Sequence, residues 1–127
     1  MIEYTDSAAG FEPEHLQGFF VGWRNPPNPE RHAEILRGSA HVVLARDGAR
    51  VVGFITAISD GVLSACIPLL EVLPEYQGQG IGTELMQRLL AQVESLYMID
   101  LSCDTELEPF YARFGFQALP RGMGLRR

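Results

Sequence analysis

Three things are scarce in this chain of 127 residues. Cysteine occurs only as Cys66 and Cys103, too little for a disulfide framework, which points to a reduced, cytoplasmic setting. No apolar run approaches the roughly 18 residues of a transmembrane helix, so no membrane association is expected. Met1 to Asp6 holds neither a basic region nor an apolar run, so it does not read as a secretory signal. Positive charge is the third shortage. Ten basic residues stand against sixteen acidic ones, a net charge of −6. A general nucleic-acid binder draws most of its affinity from cations on phosphates, so that class is disfavoured. An acidic surface attracts cationic small molecules instead.

What is present is ordinary globular composition, 46% hydrophobic and 20% charged. The length suits one core, hence a single domain over residues 1–127. Ile2 to Thr5 reads as a first strand. Glu12 to Phe20, with Pro13 in its first turn, reads as a short helix. Pro26, Pro27 and Pro29 make a loop, after which Asn28 caps a helix from Pro29 to Arg37, ended by Gly38. Three strands follow: His41 to Arg46, Val51 to Ser59 after the turn Asp47-Gly48, and Val62 to Val72 after Asp60-Gly61. Pro68 cannot donate to a ladder, so the third is expected to bulge there. Apolar spacing over Ile81, Leu85, Met86, Leu89, Leu90 and Val93 predicts a helix from Gly80 to about Leu96. Tyr97 to Cys103 reads as a buried strand and Glu106 to Phe114 as a helix. Phe116 to Leu119 and Met123 to Arg126 read as weak terminal strands. The fold class is α/β, a mixed and mostly antiparallel sheet flanked by helices.

The segment from Leu70 to Thr83 concentrates chemical information. A strand enters a loop with Gly78, Gly80 and Gly82, and the loop opens an amphipathic helix. Glycine permits positive φ and close backbone approach. Successive N–H groups and the helix N-terminus then suit a phosphate or pyrophosphate. A glycine-rich turn with no ligand is the plainer alternative. The P-loop is excluded because no lysine stands in the loop. The dinucleotide fingerprint starts at Gly78-x-Gly80 but meets Thr83 where its last glycine belongs. Asp100 lies at a suitable distance for a ribose, yet antiparallel strands precede the loop and too little chain follows for a parallel sheet.

Gln77-Gly78-Gln79-Gly80-Ile81-Gly82 fits the pattern Q/R-x-x-G-x-G/A. With Pro74-Glu75-Tyr76 before it and Phe110-Tyr111-Ala112-Arg113-Phe114-Gly115-Phe116 after it, the chain resembles the GNAT superfamily of acetyl-CoA-dependent N-acetyltransferases over nearly its whole length. The resemblance implies a GNAT-like acyl-CoA N-acyltransferase fold and transfer of acetyl from acetyl-CoA directly to an amine, with a small primary amine as acceptor. A protein N-terminal or lysine acceptor, and a CoA-binding module without catalysis, remain alternatives; a homodimer stays open. It further implies that the pantetheine arm lies along Leu70 and Val72, and that the pyrophosphate sits at Gln77, Gly78, Gly80, Gly82 and Thr83. Many members carry Asn where this chain has Asp104, whose anionic side chain is a poorer donor to the arm.

By the same resemblance Tyr111 is the candidate general acid, protonating the departing thiolate; otherwise it is a core aromatic between Phe110 and Phe114. Glu71, Asp60 and His41 are candidate bases, each with a structural alternative: alternation turns Glu71 away from Leu70 and Val72, Asp60 suits a turn, and His41 opens a strand. Cys66 and Cys103 lie in apolar runs without a neighbouring histidine and are expected to be buried, inert thiols. His15, His32 and His41 lack metal-ligand spacing, so no metal site is expected. Trp23 either stacks on an acceptor or plugs the core.

Overall fold

A computed structural model describes residues 1–120 and 122–127. The strands are β1 (Ile2–Thr5), β2 (His41–Asp47), β3 (Arg50–Ser59), β4 (Ser64–Val72) and β5 (Met98–Asp100); the helices are α1 (Pro29–Gly38), α2 (Ile81–Gln92) and α3 (Glu108–Ala112). They form one five-stranded mixed sheet in the order β1-β2-β3-β4-β5. The first four strands pair antiparallel and β4 pairs parallel with β5.

Both faces of the central strands are covered, which explains their continuous apolar runs. Val43, Ala45, Ile55 and Ala57 face α2 and pack on Leu85, Met86 and Leu89. Val42, Leu44 and Phe54 face the other way, onto Ala33 and Leu36 of α1. Asn28 caps α1 as expected, its Oδ1 accepting from the Arg31 N–H at 2.9 Å. Gly53 lets α2 sit close to β3. A Cβ there would stand 3.2 Å from both Ile81 Cγ2 and Leu85 Cδ1, in the first turns of α2.

The β3–β4 pairing carries the expected irregularity. Thr56 pairs with Leu69 and Ile58 with Cys66, so Ala57 alone faces both Ile67 and Pro68. That is a bulge of one residue.

Several boundaries differ from the sequence reading. Glu12 to Phe20 is not a helix; only Pro13–Leu16 turns, as 3-10. Gly18 at φ 94° and Phe20 at φ 64° are left-handed, which a helix cannot include. α2 ends at Gln92, where Val93 tightens into a bond from its N–H to the Leu90 carbonyl. The strand predicted from Tyr97 to Cys103 shortens to Met98–Asp100. The helix predicted from Glu106 divides into a 3-10 turn, Thr105–Leu107, and α3. Phe116 to Leu119 and Met123 to Arg126 form no strand. Gly122 and Gly124 weaken the second of them as a strand former. Among the described residues no helix is long and apolar enough to cross a membrane.

Among the described residues two polar side chains are buried, Thr56 and His32. His32 on α1 is 1% exposed. Its ring lies 4.4 Å from Phe54, 4.9 Å from Phe20 and 5.3 Å from Phe19, centroid to centroid. Neither ring nitrogen has a hydrogen-bond partner. Burial holds its pKa down, from 6.5 to about 4. The unfolded chain therefore binds a proton near pH 6.5 that the folded chain refuses until about pH 4. Stability should fall as pH drops through that window, by on the order of 3 kcal/mol, and level off below it. Melting temperatures measured from pH 7 to 3.5 should show this slope, and His32→Leu should flatten it. An equally steep slope in the variant would assign the loss to other groups.

Candidate active site

The bulge at Ile67-Pro68 bends β4 where its parallel partner gives out. Only Ser64, Ala65 and Cys66 pair with β5. Beyond them the two chains separate, and a cavity of about 440 Å³ opens among Ile67, Pro68, Leu70, Ser102, Cys103 and Tyr111. A second cavity of about 540 Å³ shares Leu70, Leu107 and Tyr111 with the first and continues to the glycine loop. Leu70, Val72, Gln77, Gly78, Gly80, Gly82, Thr83 and Tyr111, the residues singled out in the sequence, all line this second cavity.

The loop is shaped by two left-handed glycines, Gly78 at φ 81° and Gly80 at φ 86°. A Cβ at either would meet nothing within 4 Å, so their outer side is open. Gly80 caps α2 without any side-chain bond. The first helical bond runs from the Glu84 N–H to the Gly80 carbonyl at 3.1 Å. The amides of Ile81, Gly82 and Thr83 precede it and have no partner within the helix, an arrangement that with the helix dipole favours negative charge. Gln77 closes the loop at its base, its Nε2 donating to the Val72 carbonyl at 3.0 Å.

Tyr111 stands where the two cavities meet. Its ring packs edge-on against Phe110 at 5.1 Å and Phe116 at 6.1 Å. Burial, then the neighbouring Cys103, raises its pKa above the usual 10.0. The phenol therefore holds its proton at neutral pH and is present there as a donor.

Both cysteines are exposed, contrary to expectation. β5 stops at Asp100, so Cys103 lies on an unpaired stretch lining the first cavity. Cys66 lies on the face that bears α1 but outside the apolar cluster that α1 covers. Desolvation and the carboxylates of Glu108, Asp104 and Glu106 push the Cys103 thiol up. It stays protonated and weakly nucleophilic for that reason rather than through full burial.

The three candidate bases are engaged elsewhere. Both Glu71 oxygens accept from the Phe20 N–H at 2.9 Å, and Oε2 also accepts from Val21 at 3.3 Å. Asp60 Oδ1 accepts from the N–H groups of Val62, Leu63 and Ser64, which hold its pKa low. His41 Nδ1 lies 3.1 Å from Gln92 Oε1. Trp23 is half exposed, with its ring packed against Phe20 at 5.0 Å. It is neither a core plug nor free of the core. Among the described residues no group of three or more His, Cys, Asp or Glu could hold a metal.

Arg113 was not singled out in the sequence, although it lies inside the Phe110–Phe116 segment. It lines the second cavity beside the glycine loop, and its Nη2 donates to Thr83 Oγ1 at 3.4 Å.

Comparisons with known proteins agree with this architecture. The family model for the acetyltransferase (GNAT) domain matches residues 8–122. The crystal structure of a protein from Deinococcus radiodurans R1 is 47% identical with a TM-score of 0.95, covering 99% of this chain and 88% of that one. A GNAT family acetyltransferase from Streptococcus pneumoniae TIGR4 is 32% identical with a TM-score of 0.81, covering 100% and 97%. Curated relatives include histone acetyltransferase TAP1 of Glycine max, 30% identical over 81% of this chain and 50% of that protein. Another is serotonin N-acetyltransferase 2, chloroplastic, of Oryza sativa subsp. japonica, 34% identical over 78% of this chain and 56% of that protein. The chain thus spans about half the length of these two curated relatives. It belongs to the GNAT acetyltransferase family.

Glu71 explains how Phe20 keeps a left-handed backbone that a bulky residue ordinarily avoids. Glu71→Ala removes the acceptor of two amides and should cost about 1–3 kcal/mol in denaturant unfolding. Hydrogen exchange at Phe20 and Val21 should accelerate in step, and Glu71→Gln, which keeps one oxygen, should lose less. Unchanged protection at both amides would show that the loop holds itself.

Proposed function

Given that membership, we propose that the chain transfers acetyl from acetyl-CoA directly to an amine, a small primary amine being its acceptor. One observation carries this reading: a continuous cleft runs from the parted strands β4 and β5 to the open amides at the start of α2, with Tyr111 at the junction. An elongated acyl carrier with a diphosphate at its middle fits that shape and polarity. Acetyl-CoA supplies the activated thioester. The backbone of Leu70 and Val72 holds the pantetheine arm, and the amides from Gly78 to Thr83 hold the diphosphate. The acceptor attacks as a neutral amine. As the carbon–sulfur bond breaks, Tyr111 gives its phenolic proton to the departing thiolate, and the proton shed by the amine nitrogen passes through solvent to restore the phenol.

The acceptor reading rests on the net charge of −6, on the half-exposed Trp23 and on likeness to the rice serotonin enzyme. Likeness to the soybean histone enzyme supports the rival, a protein lysine. Free-thiol release from acetyl-CoA, followed with a panel of primary amines beside a histone-tail peptide, separates the two. Binding of acetyl-CoA without thiol release from any acceptor would leave a CoA-binding module.

Two substitutions test the site. Gly80→Val places a branched side chain on a left-handed backbone in the open loop. CoA affinity in calorimetry should drop at least tenfold while the fold persists, and an unchanged affinity in a folded variant would sink the cradle. Tyr111→Phe removes only the hydroxyl. Turnover should fall about a hundredfold, the low end for a general acid, with little change in acetyl-CoA affinity. The loss should shrink with a donor whose thiol is more acidic. A full rate at saturating amine, with chemistry rate-limiting, would leave Tyr111 as a packing residue.

A further inference from the structure

Glu71 is a carboxylate without a full counter-charge. The ion pairs among the described residues join Arg50 to Glu75 and Arg88 to Glu84, and Glu71 takes part in neither. Its partners are the neutral amides of Phe20 and Val21. A part-buried carboxylate gains more from an opposite full charge than from amide dipoles, because Coulomb attraction strengthens away from bulk water.

Phe20, the residue that fills this place, is held there at a cost. Its backbone is left-handed at φ 64°, which a bulky residue adopts only under constraint. Gly18 and Gly22 on either side are left-handed too and give the segment room to turn. The buried Phe20 ring stands 4.9 Å from His32, 5.0 Å from Trp23 and 6.0 Å from Phe54, centroid to centroid. Neither nitrogen of the buried His32 has a partner, and neither does Oγ1 of the buried Thr56. Thr56 lies two residues beyond Phe54 on β3, so alternation puts both on the face that bears α1. Two orphaned polar side chains in one layer mark a pocket whose present filling is chemically incomplete.

From its nitrogen through Cα and Cβ to its ring, Phe20 has the skeleton of an arylethylamine, with the nitrogen on a carboxylate and the ring among aromatic neighbours. We infer that this pocket is a binding site for an arylethylammonium ion, which takes the place of Phe20 with its cation on Glu71 and its ring beside His32 and Phe54. The ion brings what Phe20 lacks: a full charge for Glu71 and, where the ring bears a hydroxyl, a partner for His32. Phe20 leaves its left-handed conformation as it is displaced, and the half-exposed Trp23 is left to stack on the incoming ring. The pocket belongs to the α1 layer, whereas Tyr111 packs with the α2 layer. The bound nitrogen therefore lies on the other face of the sheet from the phenol, and binding here needs no acetyl donor.

The test is calorimetric affinity of wild type, Phe20→Gly and Glu71→Gln for tyramine, phenethylamine, 2-phenylethanol and butylamine, with no acetyl-CoA present and thermal melts to confirm folding. Phe20→Gly keeps the left-handed turn without strain and empties the space of the ring. It should bind tyramine roughly ten- to a hundredfold more tightly than wild type, because the tethered competitor is gone. Glu71→Gln should weaken both arylethylamines by roughly tenfold or more. 2-Phenylethanol, without the cation, and butylamine, without the ring, should bind more weakly than either. In wild type, excess tyramine should accelerate hydrogen exchange at the Phe20 and Val21 amides. Equal tyramine affinity in wild type and a folded Phe20→Gly overturns the inference. Amine binding that survives Glu71→Gln overturns it too, because the amine then lies elsewhere, as in the cleft. Butylamine matching phenethylamine reduces the effect to surface charge and overturns it as well. Should Phe20→Gly fail to fold, the exchange measurement decides: unchanged protection of both wild-type amides in excess tyramine overturns the site.

Discussion

One surplus residue in β4 governs the site. Where Ala57 of β3 faces both Ile67 and Pro68, the two strands lose step, and β4 bends away from β5. Without the bulge, parallel pairing could continue past Cys66 and Asp100 and close the sheet. With it, the backbone on either side of the gap is released from the ladder, and such groups need partners. Proline at the surplus position makes the interruption permanent, since it has no N–H to return to the sheet. The cleft is thus a consequence of sheet geometry rather than a hollow left by missing side chains.

The second support is the close seat of α2. Gly53 brings Ile81 and Leu85 against β3 at distances a side chain would forbid. Gly53 also pairs with Val72, the last residue of β4. One absent Cβ therefore fixes the helix N-terminus relative to the strand that feeds it. The loop between them takes left-handed turns at Gly78 and Gly80 to cover the remaining distance, and both glycines line the cleft. The start of α2 and the parted strands are coupled through that short span.

The parts of this arrangement that depend on local rules were legible in the sequence. The Asp-Gly turns, Asn28 as a cap, the helical spacing from Ile81 and the interruption at Pro68 all act within a few residues. The cleft lining was legible too, through the resemblance carried by Gln77 to Gly82 and Phe110 to Phe116. What escaped depends on distant contacts. Gly18 and Phe20 are left-handed because Glu71, some fifty positions later, holds the loop. The exposure of Cys103 follows from β5 ending after three residues, which the apolar run Tyr97 to Cys103 did not reveal. Arg113 was overlooked because a cation in a helical turn looks like any solvated residue until Thr83 is brought beside it by the fold.

The short run Leu70-Glu71-Val72 serves two unrelated tasks by alternation. Leu70 and Val72 pack with the α2 layer, while the Glu71 carboxylate reaches the loop around Phe20 on the other side. Side chains in a strand change face with every residue, so a one-residue slip would exchange these duties at once. A deletion or insertion between Pro68 and Leu73 would turn the Glu71 carboxylate toward the α2 layer and strip the loop of its anchor in a single event. This stretch of β4 therefore accepts a change of side chain far more easily than a change of length, which would exchange its two faces at a stroke.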